Sequence, residues 1–340
     1  MAHSKHITIQ EVAEEAGVSI QTVSRVINNR SDVSEETRQR IRDIINRMGY
    51  QPFAIARGLA SNRTYTLGLV TVDFADPWFS QVVTGAEQEA HEHGYCFMLG
   101  SSACNPEDEP KFLRLLTERH VDGILFVRAS CAEESRHLLR MKEMGVPVVT
   151  TGFHPRGWDL TVVDVDNVGG GRKATEYLLG LGHQRIAMIT GPLDWNSARD
   201  RKEGYIQALE GNRISPDPAF IVEASWLHKD GYLGMKALLE RKVPFTAVFA
   251  QNDRLARGAI SALHEAGLRV PEDISIIGYD DIPEAEFSDP PLTTIRQPMR
   301  AIGEAATRLL IQMIENRETT STQVLFDTEL IVRSSCTHPA

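Results

Sequence analysis

The segment from Thr8 to Asn28 has the sequence TIQEVAEEAGVSIQTVSRVIN. Its first part predicts a short helix from Ile9 to Ala16, because the segment begins with a capping-box sequence, TIQE, and its apolar residues recur at helical spacing on one face. Gly17 suits a tight turn and Ser19 suits the N-cap of a second helix. Two short helices joined by such a turn are typical of a helix-turn-helix.

Two more helices complete the predicted N-terminal domain. The second helix of the motif is expected over residues 20–28, and a third begins after Ser34 and ends at Gly49 with its apolar residues on one face. We therefore expect residues 1–50 to form a three-helix domain.

In a helix-turn-helix the second helix enters the major groove of DNA. Its first exposed residues are then expected at base edges: Ile20 at a thymine methyl, Gln21 at adenine and Arg25 at guanine or phosphate. An alternative is a three-helix bundle whose polar residues only face solvent. If the DNA-binding interpretation holds, the candidates for phosphate contacts are Thr8, Ser19, Thr22, Ser24 and Asn28.

Charge is unevenly distributed along the chain. The formal net charge is −10, but up to Tyr65 there are nine Lys and Arg residues against seven Asp and Glu, so that the remainder carries −12. Only the N-terminal segment can approach a phosphate backbone without strong repulsion. The acidic remainder needs another function.

Residues 51–65 predict a hinge and linker. The stretch contains Pro52, Arg57 and Leu59 and is too short for a stable isolated helix. One interpretation is a helix that folds only on DNA, with Leu59 wedged into the minor groove and Arg57 on phosphate. A plain linker with Leu59 packed against the core is the alternative.

From residue 66 onward, strands and helices alternate. Strands are predicted near residues 67–72, 96–100, 123–127, 146–151, 186–190, 247–250 and 274–278, with a last strand near 325–333 and a final helix over 299–314. This alternation predicts an α/β fold with doubly wound parallel sheets, and about 270 residues of it suggest two lobes. Ligands of such sheets bind at the carboxyl ends of the strands.

The loops at those strand ends contain carboxylate, amide, guanidinium and indole groups, the groups that bind the hydroxyls and the apolar faces of sugars. Each residue also has a simpler interpretation. Asn252 and Asp280 would cap helices, Trp78 and Trp226 would pack in a core, and Asp253 and Asp281 look more like structural caps than ligand groups. The candidate ligand-binding residues are Asp76, Trp78, Phe79, Asn196, Arg201, Trp226, Asn252 and Asp280.

The chain resembles the lactose-repressor (LacI/GalR) family in the order and spacing of three sets of residues. These are the segment Thr8–Asn28, the hinge residues Tyr50, Pro52, Ala56-Arg57 and Leu59, and the strand Leu67-Gly68-Leu69-Val70. Phe53 departs from the Asn that usually follows the hinge proline in that family. The resemblance continues to the end of the chain.

The resemblance implies a periplasmic-binding-protein-like sensor at residues 66–340. Lobe 1 would contain about residues 66–166 and 297–325, and lobe 2 about 167–294 and 326–337. It also implies a homodimer on a near-palindromic DNA operator and a small-molecule effector, a sugar by our interpretation. The residues that match effector contacts of sugar-responsive members are Arg201, Trp226, Asn252 and Asp280, with Asp76, Trp78 and Phe79 matching more loosely.

Other classes of protein receive less support. The sequence lacks a G-x-S-x-G elbow, an H-E-x-x-H motif and a P-loop, and its four cysteines form no C-x-x-C pair. We therefore expect no enzyme, no cofactor and no metal. A periplasmic receptor would need a signal peptide, and a membrane protein a long apolar run, so we expect a cytoplasmic regulator without membrane contact. A corepressor-type regulator that binds DNA when it holds a purine or sugar phosphate is the main alternative, and a sugar-binding enzyme is a weaker one.

Overall fold

The computed structural model describes residues 7–27, 30–50, 63–101, 108–127, 136–152, 159–316 and 321–339. Contacts divide the chain into two compact units, Met1–Tyr65 and Thr66–Ala340. The predicted strands centred on residues 123–127, 186–190 and 247–250 form at those positions.

The described residues of the first unit form three helices, α1 (Ile9–Ala16), α2 (Ile20–Ile27) and α3 (Glu35–Met48). Gly17 and Gly49 follow α1 and α3 with φ of 62° and 66°, a left-handed conformation that costs glycine little. Val12, Val23 and Ile41, one from each helix, are fully buried in a shared core. The three amphipathic faces therefore meet as the apolar spacing predicts.

The second unit contains twelve described strands and nine described α-helices. The strands are β1 (Thr66–Thr71), β2 (Cys96–Ser101), β3 (Gly123–Val127), β4 (Val148–Thr151), β5 (Thr161–Val165), β6 (Ile186–Thr190), β7 (Ile221–Glu223), β8 (Ala247–Ala250), β9 (Ser275–Asp280), β10 (Thr293–Arg296), β11 (Gln323–Phe326) and β12 (Glu329–Ile331). The helices are α4 (Pro77–Glu92), α5 (Asp108–Glu118), α6 (Arg136–Glu143), α7 (Asn167–Gly180), α8 (Asn196–Gly211), α9 (His228–Glu240), α10 (Asp253–Glu265), α11 (Pro283–Glu286) and α12 (Met299–Asn316).

These strands form two six-stranded sheets. The sheet of lobe 1 has the order β11-β5-β4-β3-β1-β2 and is parallel throughout, whereas that of lobe 2 has the order β12-β10-β9-β8-β6-β7 with only β12 antiparallel. Helices cover both faces, so β3, β5, β6 and β9 are buried along their whole length. The carboxyl ends of the parallel strands supply the loops where ligands bind in such sheets.

The chain passes between the lobes three times, after β5, after β10 and between β11 and β12. After the second crossing, α12 packs against α4 in the core of lobe 1. The approach is close enough that a Cβ on Gly85 would lie 2.1 Å from the carbonyl oxygen of Arg300, and one on Gly303 would lie 2.0 Å from that of Val82. These two glycines let the helix backbones touch.

The prediction of one last strand near residues 325–333 is wrong. The segment contains two short strands in different sheets, separated by Asp327 and Thr328. Lys173 Nζ lies 2.5 Å from Asp327 Oδ1 and 2.6 Å from the Thr328 carbonyl oxygen, and so holds the crossing point. The strands β5, β7 and β10 were not predicted.

Candidate functional site

The helix-turn-helix contains the predicted DNA-contact residues in two groups. Ile20, Gln21 and Arg25 lie on the outer face of α2, with 46% of Ile20 exposed. Arg25 Nε lies 3.4 Å from Asp32 Oδ2, and both side chains are more than half exposed. Such an exposed ion pair is weak, so Arg25 can exchange it for a base or a phosphate.

The hydroxyl residues of this motif already have structural roles. Thr8 Oγ1 accepts from the Glu11 amide at 3.3 Å and the Glu11 side chain accepts from the Thr8 amide at 2.8 Å, which is the predicted capping box. Ser19 Oγ accepts from the Thr22 amide at 3.2 Å. Capping and phosphate contact are compatible, since a helix N-terminus binds anions. Ser24 is half-buried on α2, and the other predicted DNA contacts, Asn28, Arg57 and Leu59, lie outside the described residues.

In the second unit, the cleft between the two lobes gathers most of the predicted effector-binding residues. It encloses a cavity of about 30 Å³, enough for one or two water molecules. Lobe 1 contributes residues from the start of α4, and lobe 2 contributes residues from the ends of its strands and the starts of its helices. The lining residues are Asp76, Trp78, Phe79, Trp195, Arg201, Trp226, Asn252 and Asp280.

Arg201 is the cation among the described lining residues of the cleft, and it contacts Asn167, Gln251 and Tyr279. It is 2% exposed; its Nε donates to Asn167 Oδ1 at 2.9 Å and its Nη1 to the Gln251 carbonyl oxygen at 2.5 Å. The guanidinium lies 3.7 Å from the centre of the Tyr279 ring. Its charge is thus fixed in place and partly compensated before any ligand binds.

Asp280 ends β9 beside this guanidinium. Arg201 Nη1 lies 3.8 Å from Asp280 Oδ1, and Gln297 Nε2 donates to the same oxygen at 2.6 Å. The φ of Asp280 is 113°, a conformation that costs free energy for any residue except glycine and that concentrates at functional sites. Gln297 was not predicted, because it lies at a crossing between lobes rather than at a strand end.

Asn252 caps a helix, one of the two roles that the sequence left open, and it also lines the cavity, so that effector binding stays a prediction. Its Oδ1 accepts from the Leu255 amide at 2.7 Å and caps α10, while its Nδ2 donates to the Trp226 carbonyl oxygen at 3.1 Å. The neighbouring Asp253 is fully buried and accepts from the Ile282 amide at 2.9 Å and from Thr294 Oγ1 at 2.5 Å. Burial, and then the nearby Asp280 carboxylate, raise the pKa of Asp253 well above its ordinary value. The structural role predicted for Asp253 agrees with these bonds.

Aromatic rings form walls on both sides of the cleft. In lobe 1, Trp78 and Phe79 meet edge to face with ring centres 5.2 Å apart. In lobe 2, Trp195 and Trp226 lie 5.8 Å apart at an angle of 58°. Such rings cover apolar ligand faces, and the polar groups between them bind hydroxyls.

Two sets of contacts join the lobes across the cleft. Asp76 caps α4 by accepting from the Trp78 amide at 2.9 Å, and its other oxygen accepts from Arg254 Nη1, in lobe 2, at 2.9 Å. Trp78 Nε1 donates to Gln297 Oε1 at 3.0 Å, and Gln297 in turn reaches Asp280. The two sensor lobes are thus connected through residues of the cleft itself.

Asn196, the remaining predicted residue, begins α8 and its side chain accepts from Arg199. The cavity is lined by its neighbour Trp195, which the sequence reasoning missed. A tryptophan directly before a helix, in the loop after β6, was the available signal.

Across the part of the chain that the structure describes, no group of three or more His, Cys, Asp or Glu residues is placed to hold a metal ion. None of the helices that can be described is long and apolar enough to cross a membrane.

Comparisons with known proteins match both units. Residues 8–52 match the family described as "Bacterial regulatory proteins, lacI family", and residues 175–336 match the "Periplasmic binding protein-like domain". The chain is 36% identical over 331 residues to the HTH-type transcriptional repressor PurR of Haemophilus influenzae (strain PittEE), which covers 96% of this chain and 98% of that protein.

Solved structures agree with this match. The lac repressor dimer bound to operator and the anti-inducer ONPF superposes with a TM-score of 0.89 at 30% identity, covering 98% of this chain and 100% of that one. A complex of the transcriptional regulator CelR with cellobiose superposes with a TM-score of 0.74 at 34% identity, covering 97% of this chain and 99% of that one.

Proposed function

The chain belongs to the LacI family of bacterial regulatory proteins, and we propose that it is a repressor released from its operator by a neutral carbohydrate bound between the two sensor lobes. Its relatives are DNA-binding transcriptional repressors, and it is a DNA-binding transcriptional regulator with a ligand-binding domain. The proposal concerns the effector and the direction of its effect. A protein that binds operators works beside the chromosome, so we place it in the cytoplasm.

The observation that carries the proposal is the charge of the cleft. Its described lining contains two carboxylates, Asp76 and Asp280, against one guanidinium, Arg201. Arg201 already donates to two oxygen atoms and lies near Asp280. Arg254 already pairs with Asp76, and Arg201 lies beside Asp280, so an anionic effector such as a sugar phosphate would compete with two carboxylates for these cations. Hydroxyl groups would instead find oxygen acceptors and amide donors. This balance favours a neutral polyol.

The aromatic walls and two of the similar structures support the same class of ligand. Indole rings on both sides of the cleft suit the apolar faces of a sugar ring. One similar structure holds cellobiose, and another is a lac repressor with the anti-inducer ONPF. The similarity to PurR keeps a nucleobase as the competing ligand to test.

We propose that the protein acts as a homodimer, as the similar lac repressor does. Two helix-turn-helix units would bind the halves of a near-palindromic operator. The cavity of about 30 Å³ is too small for a sugar, so an effector must change the arrangement of the two lobes as it enters. The coupling between effector and operator would use this change of lobe angle.

A thermal-shift screen against neutral sugars, nucleobases and sugar phosphates tests the proposal, because a ligand that binds only the native state raises its Tm. An operator selected from a randomised duplex library then allows anisotropy titrations with and without each hit. We expect a sugar to raise Tm and weaken operator binding. A nucleobase or phosphate hit would overturn the carbohydrate effector, and a ligand that tightens operator binding would establish a corepressor.

Asp280→Asn tests the site within this proposal. We expect sugar affinity to fall by at least about tenfold, because an amide replaces a carboxylate acceptor, while operator binding without sugar stays unchanged. Asp273→Asn makes the same chemical change at a surface ion pair of lobe 2 and should preserve the sugar response. An unaltered response in Asp280→Asn would remove this residue from the site.

A further inference from the structure

Helix α8 begins with an unusual residue. Its N-cap is Trp195, which makes no side-chain capping hydrogen bond, although Ser, Thr, Asp and Asn are strongly preferred there. The helix runs for 16 residues and contributes Arg201 to the cleft. The sequence therefore omits a stabilising cap at a helix that positions a binding residue. Departures from a local rule of this kind are expected where function requires a particular side chain.

The indole of Trp195 lies in the cleft instead. It lines the cavity and packs 5.8 Å from Trp226 at an angle of 58°. Trp226 is itself fixed, since a Cβ on Gly191 would lie 2.2 Å from its Cη2 atom. The ring that faces Trp195 therefore has a defined position, and the two indoles form an angled wall.

This wall extends beyond the polar cluster. Arg201 Cζ lies 5.8 Å from the centre of the Trp226 ring, so the first indole borders the guanidinium and Asp280. Trp195 lies beside Trp226 and is half-buried, as expected for the outer part of a cleft. One sugar ring held by the polar cluster would be covered by one indole. The second indole offers a surface for a second ring.

We propose that Trp195 is a specificity-determining residue that forms a second aromatic subsite, and that the effector is a glycoside with at least two rings. This inference rests on the proposed carbohydrate effector. The indole of Trp195 stacks on the outer ring, while Arg201, Asn252 and Asp280 bind the hydroxyls of the inner ring.

The test compares the protein with Trp195→Ser and Trp195→Tyr by calorimetric titration of glucose, galactose, cellobiose, maltose and lactose. For the disaccharide that binds the parent protein, we expect Trp195→Ser to lose about tenfold or more in affinity, and Trp195→Tyr to retain most of it. Affinity for the matching monosaccharide should stay within about twofold in both variants. Serine also restores a capping group, so Tm should rise by roughly 2–4 °C or stay unchanged.

The results separate this inference from the proposed function. Equal loss of affinity for both sugars together with a lower Tm would show that Trp195 only supports the fold, and unchanged disaccharide binding in Trp195→Ser would show that it contacts no second ring. Either result overturns the subsite and leaves the carbohydrate effector in place. If no sugar binds the parent protein, both proposals fail.

Discussion

Asp253 shows how closely packed the residues behind the cleft are. Both of its oxygens accept a hydrogen bond, and a Cβ on Gly278 would lie 2.3 Å from its Oδ1. Burial and the neighbouring Asp280 raise its pKa, because the charged form is desolvated and repelled. A folded protein that holds this proton more tightly than the unfolded chain loses stability as pH rises above the unfolded pKa.

Asp253→Asn should therefore become more stable than the parent protein as pH increases. An amide can accept from the Ile282 amide and donate to Thr294 Oγ1, so both contacts survive without a titrating group. Well below pH 4, which is about the ordinary pKa of an aspartate, the stability difference between the two proteins should be constant, because Asp253 is then protonated in both the folded protein and the unfolded chain. Towards pH 8 it should shift in favour of the variant, because the parent protein then loses the stability that the tightly held proton contributes.

Urea denaturation between pH 4 and pH 8 measures this difference. Glu210→Gln, on the exposed face of α8, controls for the loss of one negative charge. A stability difference between Asp253→Asn and the parent that does not vary with pH would contradict the raised pKa.

At the scale of elements, α2 combines a buried face with an exposed apolar residue. Val23 and Val26 are buried in the core of the first unit, whereas 46% of Ile20 faces outward at the start of the helix. Ile20 lies outside the core cluster, and its exposed side chain suits a thymine methyl group in the major groove. One face of α2 therefore packs in the core, and the other face is available to contact DNA.

Ile20→Ala and Arg25→Ala should each weaken operator binding by about tenfold or more while Tm changes little, because both residues lie outside the core. Anisotropy at several salt concentrations checks this, since loss of a phosphate contact by Arg25 reduces the salt dependence and loss of a base contact does not. Gln39→Ala, exposed on α3, is the control. Undiminished binding in both variants would place another surface on the DNA.

The same scale shows which elements sequence reasoning recovers. Continuous apolar runs such as β3 predict strands buried on both faces, and they form. β10, with the sequence TTIR, is not predicted from the sequence, because its polar residues look like those of a surface loop. Its threonines become buried only because distant groups bind them: Thr294 donates to Asp253, and the Arg333 amide donates to Thr293. Partners so far away in sequence leave no local signal.

The same distinction between local and distant signals applies to the residues of the cleft. Residues that end a strand or begin a helix, such as Asp280 and Asn252, are predictable because topology brings those ends together. Gln297 is not, since it lies at a crossing between sheets, and the only signal for Trp195 is its place in the loop after β6, because it occupies a position that usually holds a cap. Their roles depend on tertiary contacts.

At the scale of the whole sensor, opening the cleft must break contacts that join the lobes. Three chain crossings connect the lobes. The Asp76–Arg254 ion pair and the side chain of Gln297, which bonds to both Trp78 and Asp280, hold the two sides together. The side chains of the ion pair are only 17% and 21% exposed, so solvent screens it less than a surface pair. We infer that this pair favours the closed arrangement.

Arg254→Gln and Asp76→Asn should therefore each shift the unliganded sensor towards an open cleft. Three of the four tryptophans of the chain line that cleft, so acrylamide quenching of tryptophan fluorescence reports its opening without any ligand. We expect quenching and the radius of gyration from solution scattering to increase in both variants. The double variant should add little, because either change alone breaks the pair, and a double-mutant cycle should give a coupling of about 1 kcal/mol.

Salt distinguishes the ion pair from a loss of packing. Near 1 M NaCl the parent protein should move only part of the way towards the quenching of the variants, because the Debye length shrinks to about 3 Å but a largely buried pair is screened less than a surface pair. Gln207→Ala, which removes an exposed hydrogen bond within α8, should behave as the parent at every salt concentration. If both variants remain as closed as the parent, the hydrogen bonds of Gln297 to Trp78 and Asp280 and the three crossings suffice to hold the lobes, and the effector must work against those contacts instead.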